Sequence, residues 1–272
     1  MSDIVHCAFC DRKGLEAKED FIPSWAGRVL RSIYGPRLDI VYSTRQLDTD
    51  GTTVLQHDHV RRQTYSAVEL SGVCETCNNK WMSRIEREVK PILEPMIRDI
   101  RAGVSPHQLE PLARWMTLKA LEADLIPHGY PTAGPEDYHA FFSNQQPMPG
   151  LRVDLGRIDL RGKPDLYYSI SPMTAAQALG GLSMRDPVAL ELSFSMGALW
   201  VQTLFIPTAA RTYPELPTRP VTPHWTTVWP SSGEANWPPP YSFTSDQLPT
   251  SLSSFPEAEA WIAEHVRKEK KD

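Results

Sequence analysis

The four cysteines of this chain fall into two C-x-x-C pairs, Cys7-Ala8-Phe9-Cys10 and Cys74-Glu75-Thr76-Cys77, and none lies outside them. Two residues between thiolates let one tight turn aim both sulfurs at a single ion, and two such turns complete a tetrahedron around zinc. The 63 residues between the pairs make the ion a junction of distant segments, with a strand-rich insert held between them. Disulfides or two separate redox pairs are the alternatives. Neither pair sits in a β-α-β pattern, and the chain does not start with a basic and then apolar leader, so an intracellular, reducing setting is expected. A set of four cysteines leaves no open coordination position, which points to structural Zn2+.

Composition narrows the partners. The net charge is −5 over 272 residues, and it is unevenly spread. Residues 1–104 hold 15 Lys/Arg against 15 Asp/Glu, whereas residues 105–272 hold 13 against 18. Tight, sequence-independent binding of duplex nucleic acid needs a basic excess. Here only local pairs occur, such as Arg61-Arg62 with Arg45, so DNA is expected to bind weakly. The longest apolar stretch, Met196 to Pro207, is broken by Gln202 and Thr203 and is too short to span a bilayer. No membrane partner and a cytoplasmic location are the resulting expectations.

The chain reads as α+β, with an N-terminal unit over 1–104 and an α+β region of unknown function over 105–272. Ala26 to Ile33 has helical spacing, and Leu38 to Ser43 reads as a strand. Asp48-Thr49-Asp50-Gly51 supplies a hairpin turn, with strand-like sequence following to Leu70. After Cys77, the residues Trp81, Ile85, Val89, Ile92 and Met96 recur at helical spacing, and Pro91 and Pro95 are expected to break this stretch into two helices. Ser105 with Gln108 resembles a capping box opening a helix to about Ile126. Alternation in Leu151–Leu155 and Leu190–Phe194 predicts an antiparallel sheet built from hairpins. The last 66 residues hold 11 of the 25 prolines, which predicts an extended wrap over that sheet, sheltering Trp225, Trp229 and Trp237. A C-terminal helix is expected after Ser254 and Glu257.

A second pattern overlies the cysteines. Glu19-Asp20-Phe21-Ile22-Pro23 follows the first pair, and Cys74-Glu75-Thr76-Cys77-Asn78-Asn79-Lys80-Trp81 completes the second. Over residues 7 to about 90 the chain resembles the HNH (ββα-metal, or His-Me finger) endonucleases, in their zinc-containing form. Cys77 to Glu86 resembles a subgroup with a longer C-terminal region. The resemblance implies a zinc-stapled ββα-metal module that hydrolyses phosphodiesters in DNA with one divalent ion, Mg2+ or Mn2+. By position, Glu19 matches the metal-binding carboxylate and Asn78 the helix-borne ligand, with Asn79 the weaker match.

The chain departs from that pattern at Asp20, which stands where the family carries its general-base histidine. A carboxylate with a reference pKa near ~3.9 is a far poorer base at pH 7 than an imidazole near ~6.5. Glu69, before Leu70, also replaces the family's middle asparagine. Asp20 can act as a second metal ligand or, with its pKa raised by burial, as the base. His57 or His59, two apart on a strand, can supply the base instead. The plain alternatives are that Asp20 caps the following helix and that both histidines are solvated surface residues. Arg12, Lys13 and Lys18 are the best local phosphate contacts. Arg84 and Arg87 either touch phosphate or pair with Glu86 and Glu88. Two functions therefore stand: a metal-dependent endonuclease, and a catalytically degenerate zinc-binding module that binds nucleic acid or a protein without cleaving.

Overall fold

A computed structural model describes residues 4–17, 19–35, 38–47, 53–63, 69–126, 132–159, 166–174, 187–208, 224–230, 233 and 235–243. It is a mixed helix-and-sheet protein. Along the chain come β1 (Ile4–His6), β2 (Lys13–Leu15), β3 (Glu19–Asp20), α1 (Ser24–Tyr34), β4 (Leu38–Leu47), β5 (Thr53–Gln63), β6 (Glu69–Leu70) and α2 (Glu75–Cys77). A π-helical turn (Asn78–Met82) then leads into α3 (Ser83–Ile97), β7 (Ala102–Val104), α4 (Pro106–Asp124) and α5 (Pro135–Asn144). The remaining elements are strands: β8 (Leu151–Ile158), β9 (Leu166–Thr174), β10 (Pro187–Met196), β11 (Leu199–Phe205), β12 (Trp225–Trp229), β13 (Ala235–Trp237) and β14 (Ser242–Phe243). Among the described residues, no helix is long and apolar enough to cross a membrane.

The organising element is α4. Every residue from Trp115 to Asp124 is buried, so this helix is enclosed on all sides rather than along one stripe. Its start carries the expected capping box, the Ser105 backbone N–H donating to Gln108 Oε1 at 2.9 Å. On one side α4 packs against α3, and on the other it meets β8, β10, β11 and β12. The predicted stripe of α3 is realised, with Ile85, Val89, Ile92 and Met96 all buried and Trp81 buried just before it.

Pro91 and Pro95 do not divide this helix. α3 runs unbroken through both. Pro91 falls on the exposed face, so the carbonyl of Arg87 that loses its helical donor can turn to water, while the opposite face stays packed.

The large sheet runs β12-β8-β11-β10-β9-β4-β5, with β14 beside β8. The expected antiparallel pairings hold for β8 with β11, β11 with β10 and β10 with β9. Two junctions are parallel instead: β4 with β9, through Ile40↔Leu166 to Tyr42↔Tyr168, and β14 with β8. The insert between the cysteine pairs thus joins the same sheet as the C-terminal strands. The proline-rich segment pairs in strands where its tryptophans lie: β12 lengthens the sheet beside β8, and β13 pairs with β7. The C-terminal helix and the Asp48–Gly51 turn lie outside the described residues.

A hinge-like contact joins the end of α3 to the tight turn between β10 and β11. Ala198 N–H donates to the Ile97 carbonyl at 3.2 Å. Gly197, with φ +60°, lies so close that a Cβ there would meet the Ile97 carbonyl oxygen at 2.4 Å. Arg157 reaches the same corner, its Nε donating to Asp99 Oδ1 at 2.7 Å, and Asp99 holds its guanidinium in the charged form. Gly197→Ala combines left-handed strain with a backbone clash, and a loss of about 2 kcal/mol or more is expected. A urea titration against the parent chain measures it.

Candidate metal centre

The first cysteine pair sits on the turn that links β1 to β2. Cys7 N–H donates to the Arg12 carbonyl at 3.1 Å and Asp11 N–H to the Cys7 carbonyl at 2.9 Å, which closes a knuckle around residues 7–12. Asp11 accepts the left-handed backbone this requires, with φ 55°. The second pair enters a helix: Cys74 is extended at the N-cap of α2, and Asn78 N–H donates back to its carbonyl at 3.1 Å.

A short ladder locks the two segments together. Ala8 N–H donates to the Gly72 carbonyl at 2.9 Å, and Ala17 N–H to the Val73 carbonyl at 2.8 Å. Gly72 N–H donates to Glu16 Oε1 at 3.2 Å, and Glu16 bridges to Cys74. Further along, β3 pairs antiparallel with β6, Glu19↔Leu70 and Asp20↔Glu69.

The four sulfurs lie within 4.8 Å of one another. Cys10 Sγ and Cys74 Sγ are 3.8 Å apart, matching the ~3.8 Å edge of a tetrahedron with metal–sulfur bonds near ~2.3 Å. All four are free thiols, and Cys7, Cys74 and Cys77 are buried. A hydrogen bond from Cys77 lowers the pKa of Cys7 to about 4, with backbone N–H groups of Cys10, Cys74 and Phe9 adding to that against the effect of burial. The same shared proton pushes Cys77 up, and burial raises Cys10. N–H groups aimed at a sulfur favour its thiolate, the form that binds metal. These four side chains are positioned to hold a metal ion, and their geometry is compatible with zinc.

Aromatic packing backs the knuckle. Phe9 is wholly buried and meets Trp81 edge-on at 5.4 Å and Tyr138 of α5 at 5.2 Å. Tyr138 in turn donates to Asp124 Oδ2 at 2.9 Å, and burial together with that carboxylate pushes its phenol up.

The residues singled out from the HNH resemblance are distributed as follows. Glu19 and Asp20 form β3, and Asp20 is half-buried. Glu69 pairs directly across from Asp20. Asn78 is half-buried in the first position of the π-helical turn, and Asn79 is exposed. The N-cap position of α1 is Pro23, with Asp20 in β3 just ahead of it. His57 and His59 pair across β5 to Thr44 and Tyr42 of β4. Arg12 and Lys13 are exposed, and Lys18 lies outside the described residues. Arg84 approaches Glu88 at 3.9 Å, so the ion-pair reading applies to it, and it also donates to Gln145 Oε1. Arg87 Nε donates to the Ser83 carbonyl at 3.3 Å.

One constellation was not foreseen as such. Lys119 of α4 is wholly buried, its Nζ 2.6 Å from Glu122 Oε2 and 3.3 Å from Glu86 Oε1. It also lies over the Phe21 ring at 5.4 Å and the Trp115 ring at 5.8 Å. Glu86 closes the Cys77–Glu86 pattern, so the network ties that pattern to α4 and to the residue after Asp20. The only sequence signal was a lysine and a glutamate inside an apolar stripe. Compared with family models, curated proteins and solved structures, the chain matches none of them.

Two outcomes are expected here. Metal analysis of the purified chain gives about one ion per chain at neutral pH, lost on acidification because protons compete for the thiolates, and lost in Cys10→Ser. Lys119→Ala leaves Glu122 buried without its cation and costs roughly 3–5 kcal/mol, whereas Lys119→Met paired with Glu122→Leu recovers most of that in thermal unfolding.

Proposed function

We propose that this chain is an HNH-type endonuclease-like protein in which Cys7, Cys10, Cys74 and Cys77 hold a structural Zn2+ and the adjoining elements hydrolyse phosphodiesters in DNA. What supports the reading is one arrangement: the antiparallel β3–β6 pair and the helix entered through Cys77–Asn78 are fastened to each other by the cysteine cluster and its ladder. That strand–strand–helix order fits the ββα-metal module that the cysteine, Glu19 and Asn78 motifs imply. Glu19 and Asn78 are the residues that would hold Mg2+ or Mn2+, which supplies Lewis-acid stabilisation of the scissile phosphate and leaving oxygen. Asp20 acts beside them, as a further ligand or as the group that accepts a proton from water.

A second reading is favoured by a specific observation. Asp20 is the register partner of Glu69 across the ladder, so acidic residues take the two positions where the family would have an imidazole and an amide. A module that keeps the metal-stapled fold to bind nucleic acid or a protein, without cleaving, fits that substitution. Plasmid nicking in Mg2+ or Mn2+ separates the two. The endonuclease reading expects nicking by the parent chain, abolished in Glu19→Ala and at least tenfold reduced in Asn78→Ala, with the zinc content unchanged in both. Nicking that appears only in Asp20→His, where an imidazole contributes roughly 100-fold or more as base, identifies the non-cleaving module.

A further inference from the structure

Trp81 follows Cys77 by four residues, inside the π-helical turn Asn78–Met82. A turn closed by i→i+5 bonds holds more residues than an α-helical turn, so a residue four along stands closer to directly above its predecessor. The indole is thereby carried over the second thiol pair. It also lies against the first, because Phe9, between Cys7 and Cys10, meets the Trp81 ring edge-on at 5.4 Å. Its other ring neighbours are Phe141 at 5.7 Å and Phe142 at 6.0 Å, which offer carbon rather than a lone pair. Trp81 is 7% exposed, and its Nε1 is fully buried without a hydrogen-bond partner. A buried indole N–H normally finds an acceptor, and leaving that bond unmade is costly. Trp25, Trp115, Trp200 and Trp237 also bury an unpartnered Nε1, but none of them follows a cysteine within one helical turn.

The acceptor within reach is sulfur. Cys7 is met by backbone N–H groups of Phe9, Cys10 and Cys74, and Cys10 by that of Arg12. Beside the Cys77 sulfur stands the Trp81 indole N–H, which favours its thiolate. With its proton engaged with Cys7, the Cys77 sulfur is a weak acceptor, whereas a thiolate is a strong one. We infer that Trp81 is a positioning residue of the metal centre, its indole N–H donating to the Cys77 thiolate when a metal ion is held. The bond would orient that sulfur and draw charge from it. Outer partners of this kind fix metal ligands, and their loss weakens metal binding by roughly 10- to 100-fold. The inference rests on the four-cysteine cluster and not on whether the chain cleaves DNA.

The test uses the full chain loaded with Co2+, whose sulfur-to-metal charge-transfer absorption reads the thiolates directly. Trp81→Phe keeps a ring against Phe9 and removes the N–H. Its charge-transfer band is expected at longer wavelength than the parent's, because a thiolate without a donor gives up its electron more easily. Its Zn2+ affinity, measured against a competing chelator, is expected to fall about tenfold. Benzothienylalanine at position 81 puts sulfur in place of the N–H at nearly unchanged shape, so it should reproduce that band and affinity without loss of packing. Phe142→Leu loosens the same aromatic packing but leaves the N–H, and should lower the unfolding temperature while the band stays in place. A band identical in the parent and in both position-81 variants overturns the inference, as does an equal band shift in Phe142→Leu. A parent chain that takes up neither Co2+ nor Zn2+ overturns it together with the metal centre.

Discussion

The convergence of four thiols at one point is the constraint on which the N-terminal half depends. Cys7 and Cys10 come from a strand turn, Cys74 and Cys77 from a helix entrance, and nothing in local propensity brings those two segments together. A metal ion held by these four thiols would clip a long loop and remove much of the freedom of the unfolded chain; the loop contains α1, β4 and β5. The short ladder from Ala8–Gly72 to Glu19–Leu70 is too small to stand alone in water. Its order follows from the sulfurs on one side and the Phe9–Trp81–Tyr138 packing on the other.

That packing makes the cysteine-bearing unit continuous with the remainder of the protein. A single apolar core runs from Phe9 and Trp81 through α3 and α4 to Leu192 and Phe194 of β10. Charged groups enclosed in it are held by ion pairs or hydrogen bonds: Lys119 pairs with Glu122 and Glu86, Arg152 Nε with Asp154 Oδ2 at 3.0 Å, and Asp124 accepts from the Thr132 and Ala133 N–H groups. Enclosed ion pairs seldom add net stability over well-packed apolar groups, but they penalise alternative packings strongly, since a misplaced partner strands a buried charge. In this chain the Lys119 network fixes α3 against α4, while the Arg152–Asp154 pair runs along one face of β8.

Much of this was legible in the residues. The spacing of Trp81, Ile85, Val89, Ile92 and Met96 located the buried face of α3, Ser105 and Gln108 located the start of α4, and the C-x-x-C pairs located the cluster of four thiols positioned to hold a metal ion. The failures have physical causes. Pro91 reads as a helix breaker locally, yet a proline on an exposed helix face loses only one hydrogen bond to water while the packed face holds the axis. The alternation of β8 was visible, but alternation reports two faces of different chemistry and not which of them is dry. Arg152 and Asp154 are as buried as Val153 and Leu155. Pairing across distance left no local trace, so the parallel junction of β4 with β9 and the edge role of Trp225–Trp229 could not be read. The motif singled out Glu19, Asp20 and Asn78 as candidates, whereas the pairing of Asp20 with Glu69 is a matter of register that spacing alone does not set.

The π-helical turn at Asn78–Met82 bears on how sequence length is tolerated at this junction. Ser83 N–H reaches back to the Asn78 carbonyl, and the Ser83 hydroxyl donates to the same oxygen at 2.8 Å. Such a turn accommodates one residue more than an α-helical turn and leaves the helix beyond it in phase. The stretch between the second thiol pair and the core helix is thus a splice that can absorb a change of one residue. A chain shortened by one there would keep Ile85, Val89 and Ile92 against α4 while rotating Asn78 away from its present bearing, so drift in length would alter chemistry before it altered folding.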